Sequence, residues 1–192
     1  PYGVHFIGAA ATEPEAFVSS VPIRSVEDLK GVKMRAPEGM VYEIFSKAGA
    51  APVALPGSEV FTALDKGVVE AADYTVFATN QAQGMNDIAH YPLYPGFHSL
   101  PLIDISITKL IWDDLPDDLK AILNASVDKF IFQHVYSVRK LDAEAVAKAK
   151  ENPEIEIINW SGDERTKFRQ IAQKEWENWA GKTEMTQRYY DA

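Results

Sequence analysis

Short blocks of apolar and polar residues fill the first third of the chain, and a single long helical pattern fills much of the last third. Val4 to Ala10 (VHFIGAA) predicts a strand followed by small residues. After Pro22, Ser25 predicts the cap of a short helical turn closed by Gly31. Val32 to Ala36 reads as a brief strand ended by Pro37. Glu38 to Ala48 then places Met40, Val41, Ile44 and Phe45 on one helical stripe, with Gly49 as terminator. Pro52 to Leu55 predicts a second short strand, Ser58 and Glu59 start a helix running to Gly67, and Val68 to Val76 predicts a third strand. Strands alternating with helices of this length imply parallel pairing through right-handed crossovers, an α/β architecture.

The pattern then changes. Asn80 to Asp87 reads as a short helix, and HYPLYPGFHSLPLID carries prolines and a glycine that exclude one, so an extended crossing segment is expected. Ile103 to Thr108 alternates apolar and polar, as in a strand with one buried face. Trp112 to Pro116 predicts a turn leading into a helix whose first residues, Asp117 and Asp118, suit the helix dipole. No Gly or Pro interrupts the chain from there to Lys150, which predicts about nine turns of helix. Leu119, Ile122, Leu123, Val127, Phe130, Ile131 and Val135 form its stripe, and the part after Val138 reads as mostly solvated. After Pro153, Ile155 to Ile158 predicts a short strand, Ser161 caps a helix over Asp163 to Ala180, and a last helical piece follows Gly181.

Composition narrows the function classes. With 192 residues, 46% hydrophobic and 24% charged, the chain is ordinary globular material. A net charge of -9 argues against a nucleic-acid partner, which needs a basic face. The absence of cysteine removes thiol nucleophiles, thiolate metal sites and disulfides together. No apolar run approaches the roughly 20 residues of a membrane span, and PYGVHFIGAAATEPEAF lacks the basic and apolar regions of a signal peptide.

No catalytic motif is present: KGVKMRAPEG lacks the glycine spacing of either nucleotide fingerprint, and neither GxSxG nor HExxH occurs. His5, His90, His98 and His134 lie far apart along the chain and predict no metal or acid–base pair. Arg35 stands out as a rigid fork of donors at a strand's carboxyl end, where open α/β sheets bind ligands. An anion clamp and a structural salt bridge to Glu38 or Glu59 are both open readings of it. Tyr74, Phe77, Tyr91, Tyr94, Phe97 and His98 form a second candidate group, an aromatic wall with polar tips, and plain core packing is its alternative.

These residues resemble the extracytoplasmic solute-binding proteins of TRAP transporters, the DctP-like family. PIRSVEDLKGVKMRAPEG, KAGAAPVALPGSEVFTALDKGVVEAADY, YPLYPGFH and WDDLPDDLKAIL carry the resemblance, in the family's order, from Pro22 to about Leu123. It implies a periplasmic-binding-protein-like fold of two α/β lobes closing on an organic acid, with a long helix spanning both. It also implies that Arg35 grips the ligand carboxylate and that Tyr74, after Asp73, faces the ligand. Gly57 stands where some members place an aromatic, and YPGFH resembles the YPGW-type segment of the branch that binds 2-oxo and 2-hydroxy acids. In metal-using members of that branch a Gln follows the arginine and a carboxylate follows the aromatic–His pair. Ala36 and Ser99 occupy those positions here, so the implied clamp works without a metal or other cofactor. Tyr74 with Phe97 favours a larger or aromatic monocarboxylate.

The same resemblance divides the chain into an inter-lobe strand with a remnant of lobe I (1–20), a ligand-clamping lobe II (21–92), and a return to lobe I with the long helix and C-terminal helices (93–192). The family's long N-terminal portion is missing, so lobe I is expected to be incomplete, leaving Ile103 to Ile107 and the long helix with an apolar face that a second copy would cover. The expected substrate-binding residues are Arg35, Tyr74, Phe97, His98, Phe77, Gly57 and Ser99. The expected function is capture of a small organic carboxylate in the periplasm for delivery to TRAP membrane subunits, with no nucleic-acid partner and with a homodimer possible. The alternatives are an enzyme of small organic acids, with Arg35 as anchor and His98 as acid–base, and a ligand-sensing module of the same fold.

Overall fold

The computed structural model describes residues 2–192. Strands β2 (Ala16–Ser19), β3 (Lys33–Arg35), β4 (Ala51–Val53) and β5 (Ala71–Thr75) form one sheet in the order β2-β5-β3-β4. β3 runs parallel to β4 and β5, with Arg35 level with Val53 on one side and Ala72 on the other. β2 is antiparallel to β5, which brings Ala16 level with Thr75. The carboxyl ends of β3 and β5 and the start of β2 therefore share one end of the sheet. Sequence patterning missed β2 because all four of its residues are buried, which erases the alternation that marks a half-buried strand.

Successive residues of these strands feed opposite faces. Phe17, Met34 and Ala71 join Leu29, Phe45, Leu93, Trp160 and Phe168 in one core, roofed by α1 (Met40–Lys47) and α6 (Gly162–Ala180). Val18 and Ala72 join Val60, Leu64, Val69 and Met85 beneath α2 (Val60–Asp65). Full burial of a side chain such as Phe17 or Phe45 contributes about 1.5–3 kcal/mol. Ser161 caps α6 as its sequence implies, accepting from the Glu164 N–H. Residues 16–19 and 162–180 thus build the same layers as the segment from 21 to 92.

α3 (Phe77–Ala82) starts earlier than the sequence suggests and stops where Gly84, at φ +74°, turns the chain into a separate 3-10 turn at Met85–Asp87. Ile155 to Ile158 is not a strand. Ile158 makes a single parallel bridge to Leu93, because Pro92 and Pro95 remove donors from the extended segment beside it.

A second, two-stranded sheet pairs β1 (Val4–Ala11) with β6 (Leu102–Thr108). α4 (Lys109–Asp114) follows β6 directly, where only a turn was expected, and α5 (Asp117–Ala149) comes next. Gly8 lets β1 lie against α5, since a Cβ there would meet Val127 and Ile131. Burial along α5 follows the sequence reading in part: of the predicted stripe Val127 is buried and Leu123, Ile131 and Val135 are half-buried. The half after Val138 docks on α3 through Asp142 and Ala149, while Leu119, Ile122 and Phe130 stay exposed. Together with Val4, Phe6, Leu102, Ile103, Leu110 and Ile111 they leave an open apolar face.

Candidate functional site

Arg35 leaves β3 with only 8% of its surface exposed. Its Nε donates to the Leu55 carbonyl at 3.1 Å and its Nη1 to the Asp73 carbonyl at 2.5 Å. Neither Glu38 nor Glu59 pairs with it, and no carboxylate forms a salt bridge with it among the described residues. Nη2 makes no hydrogen bond among the described residues. The backbone of the neighbouring strand ends thus fixes the guanidinium's plane and leaves one edge free, the geometry that receives a planar anion.

Asp73 turns its side chain the other way. Its Oδ1 accepts from His98 Nε2 at 2.7 Å, with both side chains sealed from solvent. His98 is wedged between Phe17, Phe45 and Phe97, with ring centroids 5.4 to 6.0 Å away, and its buried Nδ1 has no partner among the described residues. An Nδ1 in aromatic surroundings has no acceptor for a proton, so the proton sits on Nε2 and is given to Asp73.

Glu15 completes the cluster. Its N–H donates to the Ser99 carbonyl at 3.0 Å, and single donor atoms of Glu15, Asp73 and His98 all lie within 4.8 Å of one another. Burial and the Asp73 charge push the Glu15 carboxyl above its usual range, while the Ser99 hydroxyl, His98 and Arg35 pull the other way. The three residues are a possible donor set for a cation. Asp73 and His98 already satisfy each other, however, so an ion there would have to replace their bond. The sequence marks no role for Glu15, since the motifs that carry the family resemblance begin only at Pro22. The available signal was an acid directly ahead of the apolar AFV run, at the end of the sheet that antiparallel β2 shares with Arg35.

The predicted residues separate into three places. Tyr74 follows Asp73 on β5, half-buried, with its ring against Gly57: a Cβ on that glycine would sit 3.3 Å from Tyr74 Cε2. Tyr74 therefore fills the room that a larger residue at 57 would need, and the two closely follow in sequence the Asp73 and Leu55 carbonyls that hold Arg35. Phe97, His98 and Ser99 line a groove of about 390 Å³ whose opposite wall is Arg165, Phe168 and Trp176 of α6. Phe97 packs on Trp160 at 4.7 Å and lies under Arg165, 5.4 Å away. Phe77 stands apart, 1% exposed and edge-on to Tyr94 at 5.4 Å, in a core with Ala16 and Ala149. The other histidines keep local company: His5 stacks on Trp112, His90 bonds the Asp87 carbonyl and His134 lies on Phe130.

Comparison with known proteins places the fold. An apo, open TRAP periplasmic solute-binding protein of Rhodobacter sphaeroides is 52% identical with a TM-score of 0.79, covering 100% of this chain and 61% of its own. The ectoine-binding protein of the Halomonas elongata TeaABC TRAP transporter shares the fold at TM-score 0.89 and 16% identity, over 98% of this chain and 62% of that one. A monocarboxylate 2-oxoacid-binding periplasmic protein of Nostoc sp. is 31% identical over 127 residues, 66% of this chain and 35% of that protein. The sialic acid-binding periplasmic protein SiaP of Vibrio cholerae is 27% identical over 160 residues, 81% of this chain and 47% of its own. The chain thus spans well under two thirds of its curated relatives. The mixed α/β fold with its long helix is the one these proteins share, and no described helix is long and apolar enough to cross a membrane. With the family model matched over residues 3–182, the chain belongs to the bacterial extracellular solute-binding proteins of family 7, DctP, a family of binding proteins rather than enzymes.

Proposed function

We propose that this chain binds a small organic carboxylate in the periplasm, with Arg35 as its clamp, and serves a TRAP-type membrane permease. The observation that carries this reading is a nearly buried guanidinium with no ion pair and one open edge, held in place by two backbone carbonyls. A buried cation without a counter-ion is costly, so the site favours an anion that supplies one. Tyr74 and Gly57, next to the Asp73 and Leu55 backbone that tethers Arg35, shape the entry, while Phe97 and Ser99 line a groove of their own against α6. The relatives that bind a monocarboxylate 2-oxoacid, sialic acid, succinate or malonate support the same substrate class. Each good charge-assisted hydrogen bond contributes about 1.5–3 kcal/mol.

The enzyme reading draws less support. His98, its intended acid–base, has a side chain with no exposed surface and spends its accessible proton on Asp73. The open apolar face of β1, β6 and α5 fits a further partner, a second copy of the chain included, which molar mass in solution reads directly. A thermal-shift panel of carboxylates with turnover measured in parallel tests the proposal. Stabilisation by a carboxylate without product supports it; product formation supports the enzyme, and a flat panel overturns the carboxylate clamp.

A further inference from the structure

Besides its cation, the site end of the sheet carries an anionic pole. Ala16 lies level with Thr75, and Arg35 bonds the carbonyl of Asp73, two residues before Thr75, so Glu15 comes beside the clamp. Its backbone is fastened to Ser99, and its carboxyl faces Asp73 and His98 within 4.8 Å. The charged and titratable groups around it are Asp73 on β5, His98 on the 95–99 segment and Arg35 on β3. Asp73 is committed to His98, and Arg35 forms no ion pair with Glu15. The half-buried Glu15, touched besides these groups by the Ser99 hydroxyl, is therefore the carboxyl of the cluster not committed to a charged partner and able to meet something entering the site.

Resting on the reading of Arg35 as a carboxylate clamp, we infer that Glu15 is a specificity-determining residue, which selects solutes carrying a hydrogen-bond donor, an ammonium before a hydroxyl, next to the carboxylate. The two poles complement such a solute: the carboxylate neutralises Arg35 and the ammonium neutralises Glu15. A cation arriving there also offsets the cost of a buried charge and the Asp73 repulsion that together push the Glu15 carboxyl up. A plain carboxylate satisfies only Arg35 and brings a third anion next to Glu15 and Asp73. Selection against it comes as much from that repulsion as from the missing bond.

Two matched series test this by calorimetric titration: propanoate, lactate and alanine, and 3-phenylpropanoate, 3-phenyllactate and phenylalanine. Within a series only the group beside the carboxylate changes. The wild-type chain is expected to prefer the amino member over the plain acid by about tenfold or more, with the hydroxy member between. Glu15→Gln removes the charge and keeps the shape, so it collapses the amino preference; Glu15→Ala collapses the hydroxy preference too. If the plain acids bind as tightly as their amino partners, or if the preference survives Glu15→Gln, Glu15 does not select the solute although the clamp stands. If no member of either series binds, the carboxylate reading itself falls, and this inference with it.

Discussion

Replacing Gly96 by Ala tests whether the 95–99 segment lies against the Pro14–Glu15 backbone ahead of β2 as closely as the site requires. A Cβ on Gly96 would stand 2.6 Å from the Pro14 carbonyl oxygen and from the Glu15 carbonyl carbon, and closer still to the Glu15 oxygen. The obstacles are all backbone, so no side chain can swing aside. Gly96 is not in the left-handed region, so the effect of Ala there is steric alone. Relief requires the two segments to part, which breaks the bond from the Glu15 N–H to the Ser99 carbonyl at 3.0 Å and strains that from Thr12 to Pro101 at 3.2 Å. Overpacking costs about 1–3 kcal/mol where side chains can adjust, and a backbone obstacle lies at or beyond the top of that range. A loss of about 3 kcal/mol lowers the melting temperature of a chain this long by about 6–12 °C. Gly162→Ala, with nothing within 4 Å of its Cβ, is the control and should change stability by less than about 1 kcal/mol. Urea unfolding of both variants decides it. A Gly96→Ala protein as stable as the control would mean that Glu15 and Ser99 are not held together in this way.

Three further outcomes follow from single groups. Asp142 is buried and accepts from the Ala78 N–H at 2.7 Å at the start of α3, with burial pushing its carboxyl up. Asp142→Asn keeps an acceptor there and should unfold within about 1 kcal/mol of wild type, whereas Asp142→Ala should lose about 1–3 kcal/mol in the same denaturation assay. Glu15 has a folded-state carboxyl raised above 4.5, so the folded chain holds that proton more tightly than the unfolded one. Its contribution is therefore present below 4.5 and lost as pH rises through the folded value, and Glu15→Gln should gain stability relative to wild type between pH 4 and pH 7. Equal differences at both pH values would contradict this. Trp160 donates Nε1–H to the Ile23 carbonyl at 2.8 Å in the main core, and Trp160→Phe should cost about 1–3 kcal/mol in thermal unfolding by orphaning that carbonyl.

Much of the fold is legible where local chemistry and burial agree. The stripe of Ile44 and Phe45, the stop at Gly49, the Ser161 cap and the unbroken run of α5 each leave a local mark, and each element forms. β2 leaves none, because a strand buried on both faces has no period. The burial of α5 misled for the opposite reason: Asp142 and the alanines after Val138 look solvated, yet small residues and one satisfied acid are what close packing against α3 needs. Arg35 was legible as a lone cation at a strand end, but its tethers are carbonyls of Leu55 and Asp73, and backbone partners have no sequence signature. The Glu15–Asp73–His98 cluster joins three separate stretches of chain, and only the pairing of β2 with β5 and of Glu15 with Ser99 brings them together.

The central claim is that Arg35 grips a carboxylate, and Arg35→Met tests it most directly. Met keeps the length and removes the charge and the donors. Calorimetric titration with the carboxylate that most raises the wild-type melting temperature should show affinity falling by about a hundredfold or more, as expected when two charge-assisted hydrogen bonds are lost. Circular dichroism and a cooperative melt establish that the variant is folded despite the two freed carbonyls. A folded Arg35→Met chain that binds the same carboxylate as tightly as wild type would contradict the account.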